Sequence, residues 1–153
     1  MKGTQLGLNI CNGEGVDSLI QTYLGDVDDT HYESVCTGES SISLGEANNV
    51  SGKRSAAFGK LNNIQSANAF SAGLQNTLGK NATNTISGGN GNNIGDTTSG
   101  SGRSSIVSGL NNTIIGSGQQ SLVIGEGNIV RALNSKVSGK TNKVFGNSVI
   151  VSG

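Results

Sequence analysis

The chain has 153 residues with 25 glycines, no proline or tryptophan, 3% aromatic and 13% charged residues. This composition excludes a conventional core of large side chains and a proline-rich linker, and no run approaches the roughly 18 apolar residues of a membrane span. The net charge of zero hides a division: residues 1–40 hold seven acids and one lysine, whereas 41–153 hold nine bases and three acids, so two regions with different surfaces are expected.

The first region opens with "MKGTQLGLNIC", which has one lysine and too short an apolar stretch for a signal peptide, so the chain as given reads as soluble, without export signal or anchor. Residues 13–39, "GEGVDSLIQTYLGDVDDTHYESVCTGE", hold both tyrosines and the only histidine. They lack the glycine spacing that follows. Two readings stay open for 1–40: a small cap over the first edge of a repeat fold, or a tip that also binds a ligand. Asp26, Asp28 and Asp29 in "DVDD" are the acidic ligand-binding candidates. The glycine and downstream glutamate of a calcium loop are missing, so a solvated acidic turn is the simpler reading. His31 sits in the turn-like "DDTHYE" and reads as structural.

From residue 41 onward, glycines recur every seven residues. Gly45, Gly52, Gly59 and Gly73 share one register, Gly88, Gly95, Gly102, Gly109 and Gly116 a second, and Gly125, Gly139, Gly146 and Gly153 a third. The shifts between registers read as turn insertions. Pairs of sevens make a unit of fourteen, seen in "SISLGEANNVSG" (Ser41–Gly52), "SIVSGLNNTIIG" (Ser105–Gly116) and "SKVSGKTNKVFG" (Ser135–Gly146). Alternation of the "SLVIG" kind predicts short strands with one face inward. Regular glycine disfavours helix by about 1 kcal/mol per residue relative to alanine. Gly45, Gly52, Gly59, Gly109, Gly116, Gly125, Gly139 and Gly146 are expected at corners, where positive φ is needed. The expected fold is all-β: a parallel β-roll or solenoid of stacked coils with ladders of like residues, including asparagine. Roughly eight coils make a rod on the order of 40 Å long over 41–153. Such a thin roll buries little apolar surface, which predicts association of several chains through an apolar flank.

The units "SLVIG" (Ser121–Gly125), "SISLG" (Ser41–Gly45), "SAAFG" (Ser55–Gly59) and "NSVIVSG" (Asn147–Gly153) resemble the head repeats of trimeric autotransporter adhesins of the YadA-like kind. The resemblance covers about 41–153. It implies a left-handed roll, three chains side by side as a homotrimer, an extracellular or cell-surface fibre, and adhesion to a surface glycan or extracellular matrix protein. Related rolls occur in phage fibres, so a fibre tip recognising a glycan is the alternative. Only Asn147, Ser148 and Val149 match the start of the motif linked to collagen binding in that family, so collagen binding does not carry over. In an extracellular setting, Cys11 and Cys36 are expected to form a disulfide.

Enzymatic motifs are weak. A triad would have to use His31, Cys11, Cys36 and His31 fit no standard zinc spacing, and "NSKVSGKT" has Asn134 where a phosphate loop needs glycine. The threonines hold no single register for ice binding. No enzyme, cofactor or metal is therefore expected. Arg131, Lys136, Lys140 and Lys143 form the candidate basic face for an anionic glycan, against the plain reading of a solvated surface. So few aromatics argue against nucleic-acid recognition.

Overall fold

A computed structural model describes residues 8–10, 19–22, 34–95, 102–116 and 118–153, the first two segments as backbone only. Among the described residues there are only strands, turns and bends. A ten-stranded sheet contains Leu8–Ile10, Leu19–Thr22, Ile42–Glu46, Ala56–Lys60, Phe70–Leu74, Ile86–Asn90, Ile106–Leu110, Leu122–Glu126, Lys136–Lys140 and Ile150–Ser152. An eight-stranded sheet contains Val35–Cys36, Asn49–Val50, Asn63–Ile64, Thr77–Leu78, Asn93–Ile94, Thr113–Ile114, Ile129–Leu133 and Lys143–Asn147. The chain alternates between the two, and every pairing is parallel except Leu8–Ile10 against Leu19–Thr22. The result is a parallel solenoid of about eight coils.

Alternation within each strand sends every second side chain inward. The first sheet contributes the buried row Ser43, Ala57, Ser71, Ser87, Val107, Val123 and Val137, and the second contributes Cys36, Val50, Ile64, Leu78, Ile94, Ile114, Val130 and Val144. The two rows compensate in size. Serine or alanine faces Ile64, Leu78 and Ile94 in the first half, and valine faces valine in the last coils. Each of those large residues contributes about 2 kcal/mol by leaving water. The serines keep the first half polar, and the hydroxyls of Ser43 and Ser87 are buried without a hydrogen-bond partner among the described residues.

Gly45, Gly59, Gly73, Gly89, Gly109, Gly125 and Gly139 stand directly over one another in the first sheet. Their φ values lie between +112° and +127°. A Cβ at any of them would overlap the carbonyl oxygen of the glycine in the next coil. That oxygen accepts a hydrogen bond from a buried asparagine: Asn62 Nδ2 donates to Gly73 at 3.0 Å and Asn92 Nδ2 to Gly109 at 3.1 Å. The asparagines Asn48, Asn62, Asn76, Asn92, Asn112, Asn128 and Asn142 also form their own ladder. Each Oδ1 accepts from the backbone and side-chain nitrogens of the next, at 2.9–3.2 Å.

Coil length is not uniform. Ile42, Ala56, Phe70, Ile86, Ile106, Leu122, Lys136 and Ile150 are aligned, with intervals of 14 residues except for 16, 20 and 16 between Phe70 and Leu122. This corrects the second glycine register: Gly89, not Gly88, aligns with Gly73 and Gly109. The repeat geometry also starts before residue 41. Val35–Cys36 pairs with Asn49–Val50, and Ser34 Oγ accepts from the backbone nitrogen of Asn48 at 3.1 Å, as an asparagine does in later coils.

Candidate functional site

The outward surface of the ten-stranded sheet carries an apolar row at one margin: Ile42, Ala56, Phe70, Ile86, Ile106, Leu122, then Lys136 and Ile150. Ile86 and Ile106 are each 49% exposed and Ile150 79%. Beside this row stand Leu44, Phe58 and Ile124, with small Ala72, Gly88 and Ser108 between them, and the Phe58 and Phe70 rings lie 5.4 Å apart. The opposite margin is polar at its ends, where Lys60–Glu46 and Lys140–Glu126 pair across coils at 2.8 Å. Both pairs are exposed and add little stability. One surface thus combines an apolar strip from Ile42 to Leu122, interrupted by Lys136 before Ile150, with a charged border.

The expected basic face is divided between the two sheets. Lys136 and Lys140 lie on the outward surface of the first, and Arg131 and Lys143 on that of the second. The Arg131 guanidinium sits 6.0 Å from the centre of the Phe145 ring. The hydrogen bond that the Lys140 ammonium donates to the Glu126 carboxylate, together with that group's charge, holds the Lys140 pKa above the usual lysine range. Cys36 is a buried thiol with its sulfur 3.0 Å from Ser41 Oγ. Its expected partner Cys11 lies outside the described residues, as do Asp26, Asp28, Asp29 and His31. Among the described residues no group of three or more His, Cys, Asp or Glu could hold a metal, and no helix is long and apolar enough to cross a membrane.

The expected corner glycines have several roles. Gly45, Gly59, Gly109, Gly125, Gly139 and Gly146 do have positive φ, as does Gly116 in an insertion. Gly52 does not, and is glycine because a Cβ would overlap the Ser66 carbonyl oxygen. The left-handed corner residues are mostly not glycine. Ser40, Arg54, Asn68, Asn84, Ser104, Gln120, Asn134 and Ser148 occupy one corner with φ of 52–58°.

That corner holds a basic group that reading along the sequence did not assemble. Lys53 and Arg103 stand in the row beside it, and Arg54 lies on it. Lys80 projects from the turn closed by the Ala82 N–H to the Gly79 carbonyl at 2.9 Å. All four are exposed. Lys53 pairs with Glu39 at 2.9 Å and, with help from Arg54, holds that carboxyl below the usual range. Stacking of the coils is what puts Lys53 and Arg103 in one row although they are far apart in sequence. Comparison with protein-family models, curated proteins and solved structures finds no match.

Proposed function

We propose that the chain is a structural and adhesive, non-catalytic segment of a homotrimeric extracellular fibre, of the trimeric-adhesin head kind, that attaches to a surface glycan or matrix protein. In this reading the roll is left-handed and the antiparallel pair Leu8–Ile10 and Leu19–Thr22 belongs to a cap. The observation that supports it is the apolar row from Ile42 to Leu122. A strip of this length is unusual on a lone soluble chain and marks an interaction surface. Copies meeting side by side along this strip, in a ring closed by rotation about the rod direction, would cover it. Light scattering on the purified chain tests the assembly. A mass near three times 15.4 kDa is expected, and a clean monomer overturns the side-by-side arrangement.

A further inference from the structure

We propose that the outward row Asn49, Asn63, Thr77, Asn93 and Thr113 of the second sheet is a binding track for an extended, uncharged polysaccharide lying along the rod axis. The proposal rests on the adhesive reading and names the ligand class and the face that holds it.

Strand pairing aligns these residues one above another in five successive coils. Each follows a residue of the apolar row by seven positions: Ile42 to Asn49, Ala56 to Asn63, Phe70 to Thr77, Ile86 to Asn93 and Ile106 to Thr113. By then the chain has turned from the first sheet into the second. The track therefore faces outward from the opposite sheet and stays uncovered when copies meet along the apolar row.

The fold does not dictate the residue types at this position. Val35 precedes the track in the same row, and Ile129 and Lys143 follow it, so apolar and charged side chains are accepted there. Asparagine is also a poor strand former. Yet five coils in succession place an amide or a hydroxyl at this point. Among the described residues none of these five side chains is hydrogen-bonded to the protein, and Asn63 Oδ1 is screened from solvent without a partner. Asn48, Asn62, Asn76, Asn92 and Asn112, the residues immediately before them, are instead bonded into the interior ladder. The outward row presents unused donors and acceptors.

Charge and spacing narrow the ligand. Beside the track run Thr37, Ser51, Gln65, Gly79, Gly95 and Ile115, so these two rows carry no charge from Val35 to Ile115. A charged polymer has nothing to pair with on them. A protein partner would find neither the aromatic residues nor the arginine that anchor interface cores. Amides and hydroxyls offer donors and acceptors together, which is what sugar hydroxyls require. Coils stand about 4.8 Å apart, close to the length of one ring in an extended sugar chain. From Asn49 to Thr113 the track spans about 19 Å, and each ring can meet one coil. A single bond of this kind is weak in water, so binding comes from their repetition along the rod.

The test compares the whole chain with Asn63→Val/Thr77→Val/Asn93→Val and with Lys143→Gln on immobilised cellulose, chitin and linear mannan. Heparin is the charged control. Valine already occupies this row at Val35, so the track variant should fold with a thermal midpoint no lower than the parent's. The parent should bind at least one of the neutral polymers, equally at low and high salt. The track variant should bind it about tenfold more weakly, and Lys143→Gln should bind as the parent does. Thr77→Val/Thr113→Val, which exchanges only hydroxyls for methyls, should weaken binding about threefold. No binding to any of the neutral polymers, equal binding by parent and track variant, or stronger binding to heparin that is lost at high salt overturns the track. Light scattering on the same samples keeps the two readings apart. A monomer that binds sugar through the track removes the trimer and leaves the site. A trimer whose track variant binds as the parent does removes the site and leaves the trimer.

Discussion

Gly88 and Gly89 are sequence neighbours with opposite constraints. Gly89 has φ of +112°, and a Cβ there would overlap the Gly109 carbonyl oxygen. Gly88 does not have positive φ, and a Cβ there would have nothing within 4 Å. Gly89→Ala should therefore lose about 3 kcal/mol or more, from left-handed strain plus separation of two coils. Gly88→Ala should be neutral or stabilise by about 0.5 kcal/mol, because alanine has less freedom to lose on folding. Urea unfolding of the two variants checks the pair, and equal losses would show that the rows are misaligned by one residue. The sevenfold glycine pattern made the fourteen-residue coil legible because close backbone approach tolerates no other residue. It did not resolve Gly88 from Gly89, since a two-residue insertion shifts the frame where glycines are adjacent. The corners were less legible. Leu61 and Thr141 adopt φ of 59° and 54° because backbone bonds to Glu46 and Glu126 at 2.9 and 2.8 Å fix them, whatever their own preference.

Between neighbouring coils, the asparagine ladder links elements that strand pairing alone would join only along the sheets. Asn92 donates to the Asn76 side chain and to the carbonyls of Gly88 and Gly109, and accepts from both nitrogens of Asn112. Asn92→Ala removes these bonds and leaves Asn76 Oδ1, the Gly109 carbonyl and the Asn112 amide short of partners in a buried place, at a cost of about 3 kcal/mol. Asn93→Ala, one residue along and exposed, should change stability by less than about 0.5 kcal/mol. Chemical denaturation of both at one protein concentration separates them. Repetition of asparagine suggested ladders from sequence, but not that the ladder is interior while the neighbouring asparagines face out. That distinction depends on which strand position follows the corner. The basic residues show a related effect of coil geometry. Arg131, Lys136, Lys140 and Lys143 are close in sequence, yet a coil changes sheets every few residues and divides them between two surfaces. Lys53 and Arg103 are fifty residues apart in sequence, and coil stacking puts them on one flank.

At the scale of the whole molecule, each coil touches only the one before and the one after, so stability is close to a sum of local terms and a lone roll has no compact core to add to it. Association along the apolar row adds a term that depends on protein concentration. The thermal midpoint of the parent chain should therefore rise as concentration increases. Ile86→Glu/Ile106→Glu places two carboxylates in the centre of that row, at positions already 49% exposed, so each coil can fold around them while the contact between copies must desolvate both charges. The variant should sediment as a monomer, and its midpoint should be lower and the same at every concentration. Lys143→Gln, on the outward surface of the second sheet, should keep the parent's concentration dependence. If the midpoint of the parent were independent of concentration, or if the glutamates left it unchanged, the row from Ile42 to Ile150 would be ordinary exposed surface.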